Sequence, residues 1–157
     1  MADEAQEVAA RRLEATRAAQ EATGLDEAVI ERLVRAFYDA AREDAVLAPL
    51  FAGVEDWEVH IARLCAFWSS VALMTGRYHG QPMAAHARLD LRAAHFARWL
   101  ALFERTAREV CTPAGADHLL ERAHRIARSL EHGLAFHRGE LPRPFSAAWA
   151  KAAGTSP

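Results

Sequence analysis

Residues 55–75, EDWEVHIARLCAFWSSVALMT, carry a strong helical pattern. Apolar side chains recur there with the spacing of one face of an α-helix. That face consists of Trp57, Ile61, Leu64, Trp68 and Val71. His60 lies on the same face, and Gly76 follows as a suitable helix stop. We therefore predict a long amphipathic helix in which a histidine points toward the interior or toward something held there.

The same period appears in three further stretches of the chain. Residues 26–43 begin with Asp26 as a plausible N-cap, residues 90–110 follow the same pattern, and Thr112-Pro113 starts a fourth helix. Their apolar faces are Ile30, Leu33, Val34, Phe37 and Ala41; Phe96, Trp99, Leu100, Phe103 and Ala107; and Leu119, Ala123, Ile126, Ala127, Leu130 and Leu134. Because no alternating β pattern of useful length is visible, we predict an all-α fold built around four long helices.

The remaining stretches divide the chain into three parts. Residues 1–24 favour a helix but contain few large apolar side chains, which predicts an exposed or loosely docked extension. Residues 25–138 form the predicted domain, in which Gly80 and Pro82 indicate a loop with at most one short turn. Residues 139–157, which contain Pro142 and Pro144, predict a poorly ordered tail.

Composition excludes several classes of protein. The chain has 157 residues, 52% of them hydrophobic, which suits one folded domain. Its 19 basic and 21 acidic residues leave no basic surplus for nucleic acid. The apolar stretches fall short of the ~20 residues of a membrane span. The start Met1-Ala-Asp-Glu lacks the features of a secretory signal, so we expect a cytoplasmic protein with neither nucleic acid nor membrane as partner.

The cysteines and most histidines have ordinary structural interpretations. Cys65 and Cys111 lie far apart in apolar helical patterns, which predicts buried free thiols. His132 and His137 lie off the apolar face of the last helix, where water solvates them. Glu121 and His124 fit half of a di-iron carboxylate motif, but the second half is missing, so we predict that neither binds a metal.

Four other side chains suggest a site when they are considered together. Tyr38, His60 and Trp99 come from three helix faces that are otherwise largely apolar, and His86 follows the loop. One imidazole on one side and hydrogen-bond donors on the other suit a haem iron and a gaseous ligand. Aromatic and aliphatic neighbours would wall the flat macrocycle; they are Phe51, Leu64, Phe67 and Trp68.

An ordered set of residues between about Leu25 and Phe136 resembles a known family. The set is Phe37-Tyr38, Asp44, Leu47-Ala-Pro-Leu-Phe51, Trp57-x-x-His60, Phe67-Trp68-Ser-Ser, Tyr78-His-Gly-Gln-Pro82, His86 and His95-Phe96-x-x-Trp99-Leu-x-Leu-Phe103. It is similar to the truncated haemoglobins of group III. The sequence departs from that family in having Ala48 before the proline, where glycine is usual, and in its longer N-terminal extension.

The resemblance implies a shortened globin in which two helices cross two others around a haem cofactor. It implies that His86 is the proximal iron ligand and that Tyr38, His60 and Trp99 line the distal ligand pocket. Phe51 would pack on the porphyrin, and Leu64, Phe67, Trp68 and Phe96 would complete the haem pocket.

The function that follows is the binding of O2, nitric oxide or other diatomic ligands. Several donors over one ligand favour slow release, which suits redox chemistry or detoxification supported by a reductase. A simple O2 carrier or store and a sensor remain alternatives, as does a haem-free helical interaction module. Whether the protein is an enzyme of the nitric oxide dioxygenase or peroxidase kind stays open.

Overall fold

A computed structural model describes residues 1–140 of the chain, and helices account for nearly all of its regular structure. Six α-helices are joined by loops and one 3-10 turn: α1 (Ala2–Thr23), α2 (Glu27–Glu43), the 3-10 turn (Ala48–Phe51), α3 (Trp57–Leu73), α4 (Pro82–His86), α5 (Ala93–Val110) and α6 (Pro113–His137). Residues 1–140 contain no β-strand, and none of their helices is long and apolar enough to cross a membrane.

Two helix pairs form the centre of the fold. Helix α2 packs against α3, α5 packs against α6, and the pairs meet where α2 contacts α5 and α3 contacts α6. The apolar faces predicted from the sequence line this junction, and its largest fully buried side chains include Ile30, Leu33, Leu100, Phe103 and Leu119. The all-α, two-over-two arrangement is thereby confirmed.

Side-chain caps set three of the helix starts. The Asp26 carboxylate accepts a hydrogen bond from the Val29 amide at 2.8 Å, as the sequence predicts. Asp56 caps α3 in the same way, so this helix begins two residues later than the apolar pattern suggests. At the start of α6, the Thr112 hydroxyl accepts from the amide of Gly115 at 3.0 Å. Each cap satisfies an amide that has no partner inside its helix.

The predicted helix stop at Gly76 is wrong. Helix α3 ends at Leu73, and Met74 takes the left-handed conformation with φ 57° that closes it. Met74 therefore bears the crowding between Cβ and the backbone that this conformation imposes on any residue other than glycine, and the residue is 44% exposed. Gly76 also has a positive φ of 71°, but it lies in the loop that follows.

The buried side chains of the N-terminal helix all lie in its second half. Every side chain up to Glu14 is exposed, whereas Ala19 and Thr23 are buried against the rest of the fold. The sequence-based description of a loose extension therefore fits the first half of α1 alone. Of the predicted tail 139–157, residues 141–157, with Pro142 and Pro144, lie outside the described residues.

The two cysteines are free, but they are half-buried and not fully buried as predicted. Cys65 faces the groove between α2 and α3, and Cys111 follows the last residue of α5. Burial raises the pKa of both thiols, which keeps them in the protonated, less reactive form.

Candidate haem pocket

One large cavity lies between the two helix pairs, with a volume of about 580 Å3. That volume is in the range of small-molecule and cofactor sites. All nine predicted site residues line it: Tyr38, Phe51, His60, Leu64, Phe67, Trp68, His86, Phe96 and Trp99. They come from α2, the 3-10 turn, α3, α4 and α5, so only the tertiary fold brings them together.

His86 is held in a defined orientation at the end of α4. Its Nδ1–H donates to the Pro82 carbonyl at 2.6 Å, one turn earlier in the same short helix. Proline suits the start of this helix because the first helical amide would lack a partner. The bond to Pro82 places the proton on Nδ1 and leaves the Nε2 lone pair available to a metal ion. A histidine that binds a metal through one ring nitrogen typically donates the other ring N–H in this way, which fixes the orientation of the ring.

His60 has the opposite character. Its Nε2 is buried and has no hydrogen-bond partner. Aromatic rings surround it: Tyr38, Trp57 and Phe51 have centroids 5.3, 5.5 and 6.4 Å from the imidazole. Burial lowers the pKa of His60, and the nearby positive charge of Arg63 lowers it further. A buried polar atom without a partner is costly, so Nε2 is suited to a ligand that enters the cavity.

Tyr38 and Trp99 bring two more donor groups to the cavity. The Tyr38 side chain is only 8% exposed and packs edge-on against Phe37 and Phe51. Burial raises the pKa of its hydroxyl, which therefore stays protonated as a donor. The indole of Trp99 stacks against the Phe103 ring at 5.1 Å, which restricts its rotation.

The 3-10 turn that carries Phe51 is anchored by an ion pair between the buried Asp44 carboxylate and the half-exposed Arg98 side chain. One oxygen of the Asp44 carboxylate accepts from the Leu47 amide at 3.1 Å, and the other accepts from Arg98 Nε at 2.6 Å. The Arg98 guanidinium holds the pKa of Asp44 below its usual range. This pair connects the end of α2 to α5 and thereby positions the aromatic wall of the cavity.

Sequence reasoning missed four polar residues of the cavity lining: Arg63, Tyr78, Arg88 and His95. Arg63 follows His60 by three residues, so helical spacing was a usable signal for it. The other three lie outside any long periodic stretch or at the start of α5, and only the fold brings them to the cavity.

Tyr78 reaches the cavity through a specific loop conformation. Its backbone amide donates to Ser70 Oγ at 2.8 Å, and its ring meets Phe67 edge-on at 5.1 Å. The Tyr78 hydroxyl lies directly against Gly80, where a Cβ atom would collide with it. Glycine at this position therefore permits the approach of the phenol ring.

The sequence analysis predicts that Glu121 and His124, both on α6, bind no metal ion. The carboxylate of Glu121 is exposed and pairs with Arg122 and Arg125. Burial lowers the pKa of His124. Within residues 1–140, no group of three or more His, Cys, Asp or Glu side chains is arranged to hold a metal ion. The role of Glu121 and His124 as non-ligands remains a prediction.

The residues of the cavity fit a haem in their chemistry. An oriented imidazole lines the space, flat apolar side chains wall it, and the lining includes His60, whose buried Nε2 has no hydrogen-bond partner. Two arginines and the Tyr78 hydroxyl supply groups that bind carboxylates. Such a set combines the axial donor, apolar wall and polar rim that a dicarboxylate macrocycle requires.

Comparisons with known proteins agree with this arrangement. The family of bacterial-like globins matches residues 18–132. A curated relative, the group 3 truncated hemoglobin ctb of Campylobacter jejuni, is 32% identical over 111 residues, which cover 67% of this chain and 87% of the relative. A crystal structure of the group III truncated hemoglobin from Campylobacter jejuni superposes with a TM-score of 0.63 and 31% identity, covering 70% of this chain and 91% of that one.

Proposed function

Because the chain belongs to the bacterial-like globin family and is a haem-binding globin that resembles the truncated haemoglobins of group III, we propose that it performs redox chemistry on O2 and nitric oxide. The observation that supports this proposal is the convergence of Tyr38, His60 and Trp99, from three helices, on one cavity that His86 also lines. Several hydrogen-bond donors around bound O2 would slow its release, which is unfavourable for a simple carrier.

Haem contributes an iron that binds diatomic ligands and changes oxidation state. In our proposal the Nε2 atom of His86 would hold the iron, and the Pro82 carbonyl keeps the imidazole ring oriented. Phe51, Phe67 and Phe96 line the same cavity and would exclude water from the bound haem. Arg63 and Arg88, which line the same cavity and are exposed to solvent, pair with its two carboxylates.

On the distal side, the chain's own donors determine how long a ligand stays. The Tyr38 hydroxyl and the Trp99 indole N–H are available to a ligand with partial negative charge. Each such hydrogen bond contributes about 1.5–3 kcal/mol, and about 1.4 kcal/mol slows release roughly tenfold. Slow release favours conversion of the ligand over its transport. The proposed reaction is the oxidation of nitric oxide to nitrate by O2, which requires an electron donor such as a reductase for each turnover.

Stopped-flow mixing of the oxygenated ferrous protein with nitric oxide tests this function. We expect formation of the ferric protein and of stoichiometric nitrate, faster than O2 dissociates on its own. The carbon monoxide complex is the control, since it carries no O2 and must yield no nitrate. If nitric oxide only replaced O2 at the rate of O2 release, the protein would be a carrier. A purified protein that has no Soret band, even after haem is added, would favour a haem-free interaction module.

A further inference from the structure

The last turn of α3 receives partners for its free carbonyls from α6. The last carbonyl groups of a helix accept no hydrogen bond from within the helix, so their donors must come from other parts of the protein. His118 Nε2–H donates to the Ala72 carbonyl at 2.8 Å, and Arg122 Nε–H donates to the Val71 carbonyl at 3.0 Å. The end of α3 is thereby tied to the long C-terminal helix.

Helix α1 supplies the partner of the next carbonyl. The Thr16 hydroxyl donates to the Leu73 carbonyl at 2.6 Å, across 57 residues of sequence. One turn earlier on α1, the Arg12 guanidinium lies against Gly76, where a Cβ atom would come within 2.7 Å of a guanidinium nitrogen. Two side chains of α1 therefore contact the end of α3 and the first residues of the loop after it.

That loop leads directly to His86. It runs from Met74 to Gln81, and α4 with His86 at its end follows without a break. The loop is held at its start by α3, because the hydroxyls of Ser69 and Thr75 share a hydrogen bond of 2.6 Å and Ser70 accepts from the Tyr78 amide. The contacts of Thr16 and Arg12 from α1 add to this anchorage.

The C-terminal end of α1 is held in place by contacts with α6. The Thr112 hydroxyl donates to the Thr23 carbonyl at 2.6 Å. Gly115 of α6 lies so close that a Cβ atom there would be 2.9 Å from the same carbonyl oxygen. Because Ala19 is buried as well, the last turns of α1 are packed between α3 and α6, and Thr16 has little freedom to leave Leu73.

We propose that Thr16 and Arg12 are positioning residues for the proximal histidine, so that α1 acts as a strap that holds the loop 74–81 and slows haem loss. The inference rests on the proposed role of His86 as the iron ligand. Both residues precede position 18, where the match to the globin family begins, so the family resemblance assigns them no role. The strap would support the loop before His86 through residues that lie outside the match to the globin family.

The test uses the full-length, haem-loaded protein and four variants. Thr16→Val removes the hydroxyl and keeps the volume, and Thr16→Ser restores the hydroxyl. Arg12→Ala is matched by Arg11→Ala, one position away on an exposed part of the same helix. Thr106→Val is a further control, because the Thr106 hydroxyl bonds only within α5, to the Leu102 carbonyl.

We expect Thr16→Val and Arg12→Ala to raise hydrogen exchange in residues 74–81 about fivefold, the effect of one lost hydrogen bond or less. Haem transfer to an acceptor apoprotein should accelerate by a similar factor, and the iron–histidine stretching band of the ferrous protein should shift or broaden. Thr16→Ser, Arg11→Ala and Thr106→Val should match the wild-type protein in exchange over this loop.

Two outcomes would overturn the strap. One is loop exchange and haem transfer in Thr16→Val and Arg12→Ala equal to those of the controls. The other is a loss of protection spread evenly over all helices, which would indicate ordinary destabilisation. A wild-type protein that took up no haem would refute the proposed function instead, while exchange in residues 74–81 would still decide whether α1 protects the loop.

Discussion

Of the three histidines that line the cavity, His86 and His60 carry the same imidazole under opposite constraints. His86 has one ring nitrogen bound to the Pro82 carbonyl, on a short helix that starts with proline. His60 lies on the long helix α3, and its buried Nε2 has no hydrogen-bond partner. Hydrogen bonding to the second nitrogen orients a ligating ring. The comparison therefore separates an imidazole whose orientation is fixed by a hydrogen bond from one whose buried nitrogen has no partner.

The same contrast extends to the neighbours of each ring. Aromatic rings surround His60, and burial lowers its pKa so that the neutral form prevails. His86 belongs to the short helix α4, and its ring is held by the Pro82 carbonyl of the same helix. Substitutions on the two sides should consequently change different quantities: cofactor retention on the side of His86, and ligand kinetics on the side of His60.

The largest expected effect is that of His86→Ala. Loss of the axial ligand should accelerate haem loss by two orders of magnitude or more, in line with the 10–100-fold cost typical of removing even a supporting residue of a metal ligand. Haem content after purification and haem transfer to an acceptor apoprotein measure this. Added imidazole should restore part of the ferrous spectrum. His79→Ala, in the exposed loop before α4, is the matched control. Unchanged haem content in His86→Ala would end the assignment.

Substitution of the distal donors should have the next largest effect. Tyr38→Phe and Trp99→Phe should each speed O2 dissociation by at least about tenfold, since one charge-assisted hydrogen bond contributes about 1.5–3 kcal/mol. Replacement of bound O2 by excess carbon monoxide in a stopped-flow experiment measures the rate. Carbon monoxide is a matched ligand control because it accepts hydrogen bonds weakly, and its release should change much less. If both variants released O2 at the wild-type rate, a simple carrier would be the better interpretation.

The smallest effects are expected for His60→Leu. This variant should mainly change the association rate of O2, because a neutral imidazole can rotate out of the cavity and act as a gate. Haem retention should stay close to that of the wild-type protein. A loss of haem as large as in His86→Ala would remove the distinction between the two histidines.

The pH dependence of stability offers a second measurement on His60→Leu. Because the folded-state pKa of His60 is lowered from 6.5, the unfolded chain takes up the proton first as the pH falls. The free energy of unfolding therefore decreases from about pH 6.5 downward until the folded-state pKa is passed. Urea unfolding between about pH 7 and pH 5 should show a smaller decrease for His60→Leu. His124, whose pKa is also lowered by burial, maintains part of the decrease.

The sequence predicted those parts of the site that lie on long helices. His60, Leu64 and Trp68 share one helical face, and Trp99 lies between Phe96 and Phe103 on another, so their direction follows from the helical period. The family resemblance then assigned the proximal side to His86 and the distal side to Tyr38, His60 and Trp99. The orientation of His86 by Pro82, the orphaned Nε2 of His60 and the arrival of Tyr78 at the cavity rim required the three-dimensional structure.

What the sequence determined by itself is therefore the helical fold, its buried faces and the kind of chemistry that the chain can support. Period and capping act over a few neighbouring residues, so they can be read along the chain. Only the tertiary structure decided which partners meet. Thr16 reaches Leu73 across 57 residues, and Arg98 reaches Asp44 across 54. Such contacts depend on how helices cross, and a crossing is set by the packing of whole faces, which no local pattern encodes.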